Sequence, residues 1–226
     1  MAGQQEVLVA QDVQRSPERA KRLPRAVREK QILDAAVAVF SQHGYHLAAM
    51  DEISDVAGVS KPMIYSYLGA KDQLFAHCVR RESTRLLTAV RDGIRLDVPP
   101  DMQLWHGLRS FYGFVAGYRE SWIVLHRHAL TAGAPFSDEV TALRGRAIEL
   151  VKGLVVSAGT ERGLAPQAEF SGEGMAAALV GAAESLADWW LDHPDVSDGV
   201  LASWLMNLTW LGFNDLVEGD VWRPTE

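Results

Sequence analysis

The stretch DEISDVAGVSKPMIYSYLGAK, Asp51 to Lys71, decides the fold. Its apolar positions Ile53, Ala57, Val59, Ile64 and Leu68 straddle a break at Ala57-Gly58-Val59. Neither flanking segment is long enough to bury its apolar stripe alone. Two short helices, Met50 to Val56 and Ser60 to about Leu68, meet this need by crossing at a wide angle through a turn of about three or four residues. Small Ala57 permits close approach, Gly58 accepts the positive φ of a sharp turn, and Val59 plugs the turn from inside. Ser60 is expected to cap the second helix, its side-chain oxygen accepting from the Met63 N–H, while Pro62 has no donor left to satisfy.

Upstream, Pro24 suits a helix start. Ile32, Ala35, Ala36, Val39 and Phe40 then recur at helical spacing up to about Gly44. Downstream, a longer helix opens at Lys71 and runs through Leu74, Phe75, Cys78, Leu86 and Val90 to about residue 95. The run Asp97-Val98-Pro99-Pro100 reads as a linker and marks the expected domain boundary. Beyond it, helices are expected over 101–118, 121–131, 137–158, 167–192 and 197–217, punctuated by Gly and Pro and without hairpin signals. The chain therefore reads as all-α with about nine helices. A three-helix helix-turn-helix domain (24–76, with its linking helix) precedes a larger helical domain over 101–217. Residues 1–23, with Arg15, Arg19, Lys21 and Arg22, read as a flexible arm, and 218–226 as a tail.

Charge follows the same division. The chain carries a net charge of −7 over 226 residues, yet its first 95 residues hold 14 Lys/Arg against 11 Asp/Glu and the remainder 8 against 18. A basic head on an acidic body suits a protein whose head alone meets nucleic acid. Hydrophobic residues make up 48%, enough for a globular core. The lone Cys78, the absence of a signal-peptide pattern and the lack of a spanning apolar run favour a cytoplasmic location.

The turn fixes which side chains of the following helix point outward: Lys61, Met63, Ser66 and Tyr67. A recognition helix reads bases with its N-terminal residues in the major groove. There a lysine serves guanine edges or phosphates, a serine hydrogen-bonds either way, and a methionine meets a thymine methyl.

With ILDAAVAVFSQHGY and MDEISDVAGVSKPMIYSYLGAKDQLF in view, the segment over about 28–76 resembles the DNA-binding domain of the TetR family of transcriptional regulators. The ordered signals are the "AA…F…GY" close of the first helix, "I…AGVS", "Y.Y" and a lysine opening the fourth helix. The resemblance implies contacts from Ser60 to Tyr67, a packing and phosphate role for Tyr65, and a phosphate contact for Lys71. The DNA-facing set is thus Met50, Ser60, Lys61, Pro62, Met63, Tyr65, Ser66, Tyr67 and Lys71. Three positions depart from the family pattern. Ala48-Ala49 replaces a hydroxyl cap, at about 1 kcal/mol of lost stabilisation. Asp51 stands where a basic residue is frequent, and Leu68 replaces the usual Phe.

The last two long segments resemble the C-terminal helix pair of the same family, which implies a four-helix dimer interface. Ala176, Ala177, Gly181, Ala182 and Ser185 offer a small-residue face for it. Ala177, Gly181, Ser185, Trp190, Trp204, Leu208 and Leu211 form the expected interface set. Trp189 and Trp190, adjacent on a helix, point about 100° apart, so one is free to meet a partner. The family also implies an effector pocket, for which Trp105, Phe111, Tyr112, Phe114, Val115, Tyr118, Trp122, His126 and Trp189 are the candidates. Their apolar bulk favours a hydrophobic or aromatic small molecule.

Other patterns lead nowhere. The GEGMAA run (Gly172 to Ala177) lacks the strand of a dinucleotide loop, so no cofactor is expected. His126 and His128, two apart, do not have metal-ligand spacing. Cys78 sits on an apolar stripe without a base nearby. The expected function is a ligand-responsive DNA-binding repressor acting as a homodimer on a palindromic operator. The rival is an α-helical carrier or enzyme whose helix-turn-helix is only structural.

Overall fold

The computed structural model describes residues 24–161, 163 and 165–218; the expected arm and the end of the chain lie outside them. All regular structure among the described residues is helical. The head consists of α1 (Arg25–Leu47), α2 (Met50–Ala57) and α3 (Lys61–Leu68), followed by the long α4 (Lys71–Gly93). The body holds α5 (Pro100–Gly117), α6 (Arg119–Ile123), α7 (Phe136–Glu161), α8 (Ala165–Trp190) and α9 (Asp198–Glu218). A π-helical turn, Val124–Ala129, continues α6. The expected segments match these helices to within a few residues at each end.

The head folds as its apolar periodicity dictates. Ile32, Ala36, Val39 and Phe40 of α1 are buried against Ile53 and Ala57 of α2 and Ile64 and Leu68 of α3. Gly58 adopts φ 61, ψ 36, and the Val59 N–H returns to the Ser54 carbonyl at 3.1 Å. Gln31 of α1 donates to the Ala57 carbonyl at 2.7 Å, satisfying an acceptor that the end of α2 would otherwise leave orphaned. Ala49 supplies no side-chain cap to α2. Ser60 occupies the N-cap of α3, but its side chain makes no cap bond; its backbone carbonyl receives the Met63 and Ile64 N–H groups instead. The expected hydroxyl cap is therefore corrected to a backbone-only cap.

Head and body share one continuous core. Phe40 and Tyr45 of α1, Phe75 of α4 and Phe136 of α7 form an aromatic cluster. Its ring centroids lie 4.7 Å (Phe40–Phe75), 4.8 Å (Phe75–Phe136) and 5.1 Å (Tyr45–Phe136) apart. A second joint is polar. Fully buried Glu82 of α4 accepts from Arg81 at 2.5 Å and Arg85 at 3.0 Å. Arg81 also pairs with Asp34 of α1 at 2.8 Å, and the Arg85 guanidinium covers the Tyr118 ring at 4.2 Å. Buried charge is tolerated here because each oxygen of Glu82 has an arginine.

Candidate nucleic-acid interface and apolar cavity

On α3 the side chains of Ser60, Pro62, Tyr65 and Ser66 are exposed, and Lys61 and Met63 are half-exposed. Lys61 Nζ lies 2.6 Å from Asp51 Oδ1, so the acid that stands where a basic residue is frequent is neutralised by a neighbouring lysine. That hydrogen bond raises the Lys61 pKa. Glu52 Oε1 lies within hydrogen-bond reach of His43, 3.0 Å from its Nε2. Ser66 turns its hydroxyl back to the Met63 carbonyl at 2.9 Å.

Four expected positions sit differently. Met50 is buried in the core: it shares the inward stripe of Ile53 and Ala57, three and seven residues on, and leaves nothing for a duplex to touch. Tyr65 is 49% exposed and does not pack, whereas Tyr67 is the half-buried one. The Tyr67 ring lies under the Arg25 guanidinium, 5.2 Å from centroid to Cζ. Lys71 donates to the His46 carbonyl at 2.9 Å and lies 5.3 Å over the Tyr45 ring, and partial burial lowers its pKa. Arg25 escaped the sequence reading, although a cation in the first turn of α1 was its visible signal.

In the body, α4, α5, α6, the π-helical turn, α7 and α8 enclose a cavity of about 110 Å³. Its wall is mainly aliphatic: Leu86, Leu87 and Val90 of α4, Leu104 and Leu108 of α5, Leu143, Leu150, Val151 and Leu154 of α7, and Leu179 and Val180 of α8. Of the nine expected pocket residues, Phe111, Trp122 and His126 line it. The Trp122 and His126 rings stack 4.7 Å apart, and Phe111 meets Trp122 edge-on at 5.4 Å. Trp105 packs partly buried against the core, away from the wall. Tyr112 is fully buried and donates to the Ala183 carbonyl at 3.4 Å. Phe114 and Val115 are core, and exposed Tyr118 lies under Arg85 beside a separate polar cleft. These aromatics fill helix junctions, which leaves the cavity to smaller aliphatic side chains that the reading overlooked.

The polar groups on the wall are few. Arg144 Nε lies 3.2 Å from Glu184 Oε2. Burial pushes the Glu184 carboxyl up, with Arg144 opposing. Burial also lowers the His126 pKa, against the pull of Asp188. Trp122 is buried and its indole N–H has no partner among the described residues.

The expected dimer residues divide. Ala176 is fully buried within the chain, and Gly172 faces Val156 of α7, so much of the small-residue face serves α7–α8 packing. Ala177, Gly181 and Ala182 are partly covered, and Ser185 is exposed. The two tryptophans exchange roles. Trp190 turns inward, donating to the Val196 carbonyl at 2.6 Å, while Trp189 is exposed and stacks on His193 at 3.9 Å. Trp189 also lies 6.1 Å from Trp204, which is 48% exposed, and Leu208 is 72% exposed. The Leu211 side chain lies outside the described residues.

The comparisons with known proteins decide the lineage. Residues 100–212 match the tetracyclin repressor-like C-terminal domain, and residues 32–78 match the bacterial regulatory proteins of the tetR family. The chain belongs to the TetR family. A TetR-like transcriptional regulator from Rhodococcus sp. RHA1 is similar over 85% of this chain and 99% of its own, at 41% identity and a TM-score of 0.73. The transcriptional activator FasR of Mycolicibacterium smegmatis is 39% identical over 105 residues, 45% of this chain and 48% of that protein. The repressor NicS of Pseudomonas putida is 30% identical over 136 residues, 59% of this chain and 63% of NicS. The matches thus span less than two thirds of either of these two relatives. Among the described residues of this TetR-family chain, no helix is long and apolar enough to cross a membrane.

Proposed function

We propose that the chain is a ligand-responsive transcriptional regulator that binds a palindromic operator as a homodimer, represses, and is released by a small hydrophobic effector. The observation that carries this reading is the α2–Gly58–α3 turn, which leaves Lys61, Tyr65 and Ser66 on an open face. In this reading Lys61 and Ser66 read base edges, Tyr65 and Lys71 hold phosphates, and Arg25 joins them from α1. Two heads about 34–36 Å apart or slightly more would address successive major grooves of a cytoplasmic duplex. The exposed Trp189, Trp204 and Leu208 supply the apolar face of the homodimer. The aliphatic cavity takes the effector, and α4, which joins cavity to head, transmits its presence.

The test is fluorescence anisotropy of the full chain on DNA from upstream of its own gene, against a scrambled duplex of equal length. A regulator binds the upstream DNA more tightly and with a steep salt dependence. A carrier or enzyme with an idle helix-turn-helix shows the same weak binding to both duplexes.

A further inference from the structure

We propose that the cavity selects a small amphiphile with an anionic head: a carboxylic acid whose hydrocarbon chain lies among the Leu and Val side chains and whose carboxylate sits on Arg144. This rests on the reading of the cavity as the effector site and names the ligand that the site is built for.

Three observations lead there. First, the wall is contributed by six helical segments and is dominated by branched aliphatic side chains, with Phe111 and Trp122 its aromatic members. Such a wall favours a flexible chain over a stack of flat rings. At about 110 Å³ the space is somewhat smaller than a 150 Å³ apolar cavity that holds benzene, which limits the enclosed stretch of chain to about six carbons at most, the remainder and the head lying at the rim.

Second, the polar groups on the wall are few, and they are mainly donors. Arg144 reaches the wall from α7, His126 from the π-helical turn and Glu184 from α8. Buried Trp122 on the same wall carries an indole N–H without a partner among the described residues. The His126 ring adds a further N–H. Glu184 is the carboxylate on this side, and Arg144 already occupies it.

Third, the Arg144–Glu184 pair is made to open. It is held at 3.2 Å, spans two helices, and its arginine is half-exposed while its glutamate is mostly covered. A Cβ at position 181 would stand 3.1 Å from an Arg144 guanidinium nitrogen, so the guanidinium lies close across α8 at Gly181. A guanidinium keeps its proton and grips a carboxylate with two parallel N–H bonds. When a second carboxylate enters, Glu184 is the anion that gives way, because burial already pushes its carboxyl towards the protonated form.

The experiment titrates the full chain with octanoic acid, 1-octanol and octylamine by isothermal calorimetry at pH 7, keeping each below its micellar range. Octanoate is expected to bind at least tenfold more tightly than octanol. Arg144→Ala should remove that difference while octanol still binds, which also shows that the variant is folded. Arg144→Lys should restore part of it, and Glu184→Gln should strengthen octanoate relative to octanol. Equal binding of octanoate and octanol, or tightest binding of octylamine, overturns the anionic head and leaves the cavity as a binding site. Failure of all three to bind overturns both the head group and the cavity reading. An unchanged octanoate preference in Arg144→Ala removes Arg144 from the site.

Discussion

His128 Nε2 lies 3.1 Å from the Ser41 carbonyl oxygen, and its ring covers Gly44, where an added Cβ would stand 3.1 Å from His128 Nδ1. The π-helical turn that aims His126 into the cavity thus presses His128 onto the end of α1. Gly44 sits at φ 70, ψ 176, a conformation that side chains resist. Gly44→Ala should therefore cost about 1–3 kcal/mol from backbone strain, with the contact to His128 adding to it. Urea unfolding of the two proteins measures this, and a loss under about 0.5 kcal/mol would count against it.

Asp51 restrains Lys61. Asp51→Asn frees the ammonium and removes an anion from the exposed face, so binding to every duplex should tighten and the slope of log K against log salt should steepen by about one unit. Lys71→Ala should do the reverse on every sequence alike, whereas Lys61→Ala should also blur the preference for the operator. Anisotropy titrations across a salt series separate these outcomes; equal losses on operator and random DNA for both lysines would refute the division.

Glu82 is the polar joint between head and body. Glu82→Ala leaves Arg81 and Arg85 facing a buried gap, at a cost of about 3–5 kcal/mol, while Glu82→Gln should cost less because it keeps the volume and one acceptor. Differential scanning calorimetry would show a fall in Tm ordered wild type, Gln, Ala; any other order assigns the joint to packing alone.

Asp34 adds a dependence on pH. Burial pushes its carboxyl up, but Lys30 and Arg81 outweigh this and hold it below the ordinary value. A carboxylate lowered in the folded state adds stability above its unfolded pKa and loses it as pH falls through the folded one. Asp34→Asn should thus be less stable than the wild type at pH 7 and should lose less on acidification to pH 3. Parallel acid-denaturation curves for the two proteins would contradict the pairing.

Trp204 and Leu208 are large and exposed on α9 beside Trp189. Leu208→Glu should convert a dimer to a monomer in sedimentation equilibrium while leaving the far-ultraviolet circular dichroism unchanged. A monomeric wild-type chain would remove this face from the interface.

The helices were legible because helical periodicity and Gly/Pro punctuation report directly on backbone geometry. The turn at Gly58 was legible for the same reason, since an apolar stripe broken by a glycine admits few solutions. Met50 was misread although its spacing from Ile53 and Ala57 already placed it inward. The cavity was harder. Large aromatics stand out in a sequence, yet Tyr112 and Phe114 fill junctions, and the wall is made of leucines and valines indistinguishable from core. Arg144 and Glu184 lie on different helices and meet only through α7–α8 packing. Nothing local in either helix announces the pair.

The longest consequence belongs to α4. It opens at Lys71 against α1, and Leu86, Leu87 and Val90 near its other end form part of the cavity wall. Its 23 residues make a lever of roughly 34 Å. A tilt of about 6° at the cavity end would carry the far end through about 3.5 Å, roughly the rise of one base pair along the duplex axis. On the proposed reading, a small effector in the cavity would thereby gain the reach to shift a grip on DNA by one rung.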